Sequence, residues 1–327
     1  MTVIDVHTHL LSEPWFELLK AHGAPRYEVR ESKDAALGIF REGAPFMTPQ
    51  PGHFDYDLRI EKMDQARVDL AIISLTAPNV YWGSPEVSLE AARLVNDEMA
   101  RAESAYPGRI RWLTSLPWEH PDLALAELAR SCELGAVGVM VLANVAGRAL
   151  TEPHFEPIWA EIDRRALPVL VHPTAPPGTA ELGLQAFNLV AQIGFMFDTS
   201  LAIARMIYDG FVDRYPNLKL IASHAGGALP FLVGRLDRCF DQMNAAREKI
   251  SERPSTYLRR IYYDSVTYRL DALEMCLDVG GADKVMYGSD YPHNIGDMKG
   301  CLERVEALPG ATSAAVQGEN ARRLFAL

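Results

Sequence analysis

Five side chains able to bind a metal stand where hydrophobic runs stop: His7 and His9 in IDVHTHLL, His172 in PVLVHP, His224 in LKLIASHAGG and Asp290 in KVMYGSD. Four imidazoles and a carboxylate make a borderline nitrogen and oxygen donor set, suited to Zn, Mn, Fe or Co. In an extended chain residues i and i+2 point the same way, so His7 and His9 can face one ion across Thr8. Taken singly, each residue has an ordinary alternative: a solvent-facing or packing histidine, or for Asp290 the N-cap of a following helix. Together, at the ends of four different runs, they point to one metal site.

The elements that must position them are eight short runs rich in Val, Ile and Leu, at residues 3–7, 69–75, 110–116, 136–142, 168–172, 218–223, 261–264 and 284–288. Such runs read as strands buried on both faces. Amphipathic stretches at 85–105, 121–134, 156–165, 200–215 and 271–279 lie between them, and Gly135 and the Gly280–Gly281 pair mark helix stops. Strand and helix in strict alternation predict a (β/α)8 TIM barrel, an α/β fold whose active sites form at the C-terminal mouth of the strands. All five candidates leave strands at that end. Residues 11–58, with five prolines and four glycines in an irregular run, are too Pro-rich for a barrel helix and predict an insertion over the mouth after strand one. A second long excursion, 174–197, follows strand five.

With 327 residues, 48% hydrophobic and 23% charged, the chain can bury one large core, as a single barrel domain over 1–327. A net charge of -11 without a basic run argues against nucleic acid or an anionic membrane as partner. Cys132, Cys239, Cys276 and Cys301 are far apart in sequence, as expected of free thiols in a reducing cytosol. The N-terminus enters a strand directly, without the features of a signal or a membrane span, and a cytoplasmic protein is expected.

The order HxH after strand one, His after strands five and six, and Asp after strand eight resembles the amidohydrolase superfamily of metal-dependent barrels. RIEKMDQARVD, SHAGGALPFLVGRLDR, RPSTYLRRIYYDS, KVMYGSDYPH and GENARRLF are similar, nearly end to end, to its branch containing 2-amino-3-carboxymuconate 6-semialdehyde decarboxylase and related aromatic-acid decarboxylases. That resemblance implies that His7, His9, His172 and Asp290 ligate one divalent metal, zinc first and manganese second. His224 stands beside it as acid/base, and Asp290 orients water or relays the proton. Binuclear members carry a bridging lysine after strand four, whereas AVGVMVLANVAG offers none. The implied reaction is nonoxidative decarboxylation of an aromatic or dienoic carboxylic acid. The same residues also suit a hydrolase that cleaves an amide, lactone or C–C bond with a metal-activated water.

Departures from that branch bear on the substrate. Met47 stands where the family has a carboxylate-gripping arginine, and TAPPGTAELGLQAF lacks the expected tryptophan, which predicts a less acidic substrate than the muconate semialdehyde. Arg235 matches an arginine that the family contributes across a subunit interface, implying a homodimer. His293, Tyr291, Phe195 and Trp82 follow strands and are candidate substrate contacts. His22, His53, His120 and His154 lie off the ligand positions, with His53 in the presumed lid.

Overall fold

A computed structural model describes residues 2–31 and 37–327. Its centre is a parallel sheet of β1 (Ile4–Leu10), β2 (Leu70–Leu75), β3 (Ile110–Ser115), β4 (Gly138–Leu142), β5 (Pro168–His172), β6 (Lys219–Ala222), β7 (Tyr262–Asp264) and β8 (Val285–Met286), hydrogen-bonded in sequence order. The ring closes where the Val6 N–H donates to Tyr287 O at 3.0 Å and Thr8 bridges to Tyr291. This is the predicted (β/α)8 barrel. β2, β4 and β5 are buried along their whole length, because side chains fill the barrel on one face and helices cover the other.

Local sequence explains the outer helices. In Pro85–Ala105 the Ser84 side chain accepts the Val87 N–H at the N-terminus, Pro85 opens the first turn, and Ala91, Ala92, Val95, Met99 and Ala102 turn inward at helical spacing. Pro121–Glu133 stops ahead of Gly135, whose φ is +106°, and Leu270–Gly280 stops at Gly281, φ +99°, as those glycines predicted.

Three elements differ from expectation. β1 runs on to Leu10 instead of stopping at His7, with a register shift between Asp5 and Thr8 against β2. The insertion is more regular than its prolines suggested: it holds helix Glu13–His22 and a three-stranded antiparallel meander, Tyr27–Glu31, Leu37–Arg41 and Ala44–Met47; residues 32–36 lie outside the described residues. The prolines sit at its edges, and Tyr27, Ile39 and Phe40 are buried beneath it. The helix expected at 200–215 begins at Phe195 and breaks at Gly210, φ +70°, so the second excursion is partly helical. The stretch Ala186–Tyr208 is long and apolar enough to cross a membrane by composition. Its second half is nonetheless a barrel helix that buries Ala202, Ile203, Met206 and Ile207. All four cysteines are unpaired.

Candidate metal centre

Two histidines on one strand are brought together by the local geometry of β1. The register shift at Asp5–Thr8 re-aims the strand, and the Nε2 atoms of His7 and His9 lie 3.0 Å apart. Asp290 Oδ1 is 3.4 Å from each. Donors about 2.1 Å from a shared ion at tetrahedral angles stand roughly 3.4 Å apart, so these separations suit one first-row cation. Ligand atoms of His7, His172, His224 and Asp290 lie within 4.8 Å of one another, and so do those of His9, Asp290 and His293.

Each of three imidazoles has its Nδ1 engaged behind the site. His7 Nδ1 meets Asp264 Oδ2 at 2.6 Å, His9 Nδ1 meets Ser74 Oγ at 3.2 Å, and His172 Nδ1 meets the Pro173 carbonyl at 2.9 Å. The second nitrogen of each ring is thereby turned inward, the arrangement that metal-binding imidazoles use. His172 Nε2 and Asp290 Oδ1 are buried with no hydrogen-bond partner, which costs free energy unless something cationic meets them. The donor set fits a single divalent metal.

Electrostatics agree with that fit. Burial pulls the His9 ring down to about 3 and the His172 ring well below its usual value, so both are neutral. Burial also acts on His7, but Asp264 beside it, with Asp290 and Asp5, raises it overall. Asp290, opposed by its own burial, is held well below the carboxylate range by His224 and His9.

His224 and Asp290 sit in the left-handed region, with φ of 54° and 59°. Residues without glycine's freedom hold such angles only where the surroundings fix them. For His224 the fixing group is Asp264, whose carboxylate accepts the N–H of His224 at 2.8 Å and of Ala225 at 3.0 Å. The turn continues through Gly227, where a Cβ would fall 2.4 Å from Met196 O, so the second glycine of HAGG is required by close approach. This geometry leaves His224 Nε2 3.7 Å from Asp290 Oδ2.

The site floors a cleft of about 1200 Å³, lined by His172, His224, Asp290 and His293 below and by Phe46, Met47, Phe195 and Phe231 among others above. His293 and Phe195 therefore face the cleft as expected, and His293 Nε2 meets Thr76 Oγ1 at 2.9 Å. Two expected contacts do not face it. Trp82 is buried, gives its Nε1–H to Asn79 O at 2.8 Å and packs edge-on against Trp15; it is core. The Tyr291 ring lies under the Arg59 guanidinium at 5.0 Å and does not line the cleft. Arg235 is exposed on helix Leu229–Gln242, away from its own chain's cleft.

Sequence reasoning missed Asp264, Ser74 and Arg59. Arg59 is buried, donates to Thr8 Oγ1 at 2.7 Å and to the His9 and Gly52 carbonyls, and so holds β1 from behind. Asp264 closes the YYD of strand seven, a position equivalent to the other ligand-bearing strand ends, and that was its one legible signal. His53 packs 5.1 Å from His293, and burial takes it down to about 2.

A closed (β/α)8 barrel with a histidine and aspartate cluster at its C-terminal mouth defines a metal-dependent barrel enzyme. The chain belongs to the amidohydrolase family, whose model, described as Amidohydrolase, matches residues 4–327. It is 29% identical over 333 residues to a 2-amino-3-carboxymuconate-6-semialdehyde decarboxylase from Dictyostelium discoideum, covering 99% of this chain and 91% of the relative. It is 27% identical to a gamma-resorcylate decarboxylase from Rhizobium radiobacter, over 83% of this chain and 87% of that one. The solved structure of 5-carboxyvanillate decarboxylase from Sphingomonas paucimobilis superposes with a TM-score of 0.87 at 27% identity, covering 100% of this chain and 99% of that one.

Proposed function

We propose that this protein is a metal-dependent nonoxidative decarboxylase of an aromatic or dienoic carboxylic acid. The observation that carries this is the meeting of inward-turned His7, His9 and His172 nitrogens with Asp290 Oδ1, beside a second pair, His224 and Asp290, on the cleft wall. Decarboxylase relatives that cover nearly the whole chain support it. We assign His7, His9, His172 and Asp290 as the ligands, zinc as the metal and manganese as the second candidate, since imidazole with one carboxylate suits both.

When bound, the cation supplies positive charge that orients a substrate carboxylate and a neighbouring oxygen. His224 Nε2 carries the proton that is delivered to the carboxyl-bearing carbon, while Asp290 Oδ2, 3.7 Å away, relays its replacement from water. Protonation at that carbon interrupts ring conjugation. The C–C bond then breaks, its electron pair returns to the ring, and carbon dioxide leaves. Phe195 and Met47 keep bulk water from the face of the ring.

We further infer a homodimer in the cytoplasm. Phe187, Leu182 and Phe197 on the post-β5 segment and Phe231 on helix Leu229–Gln242 are all more than half exposed, a concentration of apolar surface that marks an interface. Arg235 follows Phe231 by one helical turn, and the partner's copy would complete each cleft. Unpaired thiols support the reducing setting.

The test is carbon dioxide release from a panel of hydroxybenzoates and muconate derivatives with metal-loaded protein. Oxygen-18 from solvent appearing in a noncarbonate product would replace decarboxylation by hydrolysis.

A further inference from the structure

The cleft is far larger than one ring requires. A cavity of about 150 Å³ holds benzene, whereas this cleft encloses about 1200 Å³. Much of its lining comes from the segments that follow β7 and β8. Val266 there is buried, and the lining continues through Tyr268, Ala272, Met275 and Ile295, the last two 44% and 57% exposed. Ala272 and Met275 are three residues apart on helix Leu270–Gly280, exposed at the edge of its buried stripe of Leu273, Cys276 and Val279. Tyr268 Oη donates to the Ile295 carbonyl at 2.8 Å, which joins the two loops into one wall. The result is an apolar stripe running from the metal centre to the rim.

Charge on this wall is already spent. Among the described residues, Arg269 is the only Lys or Arg lining the cleft, and its guanidinium is paired with Asp271 through Nε at 2.9 Å. Met47 lies on the opposite wall. Within its own chain this wall offers a charged substituent no unpaired cation, whereas an apolar group would find a matching surface.

We propose that the substrate is a carboxylic acid whose ring or diene bears an extended apolar substituent, an alkyl chain or second ring, laid along Val266, Tyr268, Met275 and Ile295. This rests on the decarboxylase reading, and its test separates the two. Metal-loaded protein is given 2-hydroxybenzoate and the same acid with alkyl groups of one to six carbons at each free ring position. Carbon dioxide is measured. The equilibrium affinity of 2-nitrophenols carrying the same alkyl groups is measured separately, without turnover.

For at least one ring position, kcat/KM and affinity rise by about fourfold per methylene for the first several carbons. Met275→Glu cuts the hexyl-to-unsubstituted ratio at least tenfold, and Met275→Leu retains it. Affinity that climbs without carbon dioxide release upholds the apolar subsite and removes the decarboxylase assignment. A flat or falling series at all positions overturns the inference while leaving decarboxylation intact. Met275→Glu that dissociates a dimer with an unchanged hexyl ratio also overturns it, since the stripe would then be an interface.

Discussion

Asp264 Oδ2 lies 2.6 Å from His7 Nδ1 and also accepts the His224 backbone N–H at 2.8 Å. One buried carboxylate thus sets both a proposed ligand ring and the turn that presents the proposed proton donor. Replacement by asparagine keeps the size but removes the charge that holds the His7 tautomer. Asp264→Asn is expected to weaken metal binding by roughly 10- to 100-fold, read by competition with a chromogenic chelator; unchanged affinity would show that the second carboxylate oxygen and the backbone suffice.

Removing the metal gives a separate expectation. Dialysis against a strong chelator abolishes carbon dioxide release, and addition of Zn or Mn restores it, with near one equivalent per chain by elemental analysis. His172→Ala, which deletes the orphaned Nε2, cannot be restored at the same metal concentration. Full activity of chelated protein is the outcome that sinks the metal assignment.

His224→Asn separates chemistry from metal binding. His224 is assigned above as the acid and not as a ligand, although its ring shares the donor cluster, so the variant is expected to retain metal while kcat falls by about 10²- to 10⁴-fold, the usual contribution of a positioned acid. Loss of the metal together with activity would make His224 a ligand.

A fourth expectation concerns pH. Asp198 accepts from Asn144 Nδ2 at 3.0 Å and from the Thr174 N–H at 3.0 Å, and burial lifts its carboxyl from 3.8 to about 6. The folded chain holds this proton more tightly than the unfolded chain. Its contribution to stability is therefore present below the unfolded value, falls as pH rises from about 4 to 6, and is level above. The loss is on the order of 3 kcal/mol. Asp198→Asn flattens this part of the profile, which urea unfolding at several pH values measures; an unaltered slope would assign the dependence elsewhere.

Removal of the buried Arg59 guanidinium tests the support behind β1. Arg59→Met leaves Thr8 Oγ1 and the His9 carbonyl without their donor, and thermal unfolding is expected to show a loss of about 2–4 kcal/mol.

Much of this was legible because barrel strands end abruptly and their last residues have chemical identities unlike the runs before them. His7, His172, His224 and Asp290 stand out against Val, Ile and Leu, and the regular alternation of strand and helix follows from burial on both faces. What escaped was whatever depended on a partner distant in sequence. Asp264 is 257 residues from His7, and YYD alone does not say which ring it meets. Trp82 and Tyr291 followed strands as a substrate contact would, yet each turned back to satisfy a neighbour, Asn79 O and Arg59. The meander hid because its one proline, Pro45, lies in the outermost strand, where a missing N–H is tolerated.

Arg41 of the meander donates from Nη1 to the Ala175 carbonyl of the post-β5 segment at 3.2 Å. The two covers over the mouth are thus tied to each other, while every proposed ligand is anchored in the barrel below. Selection for a different acid can therefore rework the roof, residue by residue, without disturbing the foundations on which bond cleavage rests.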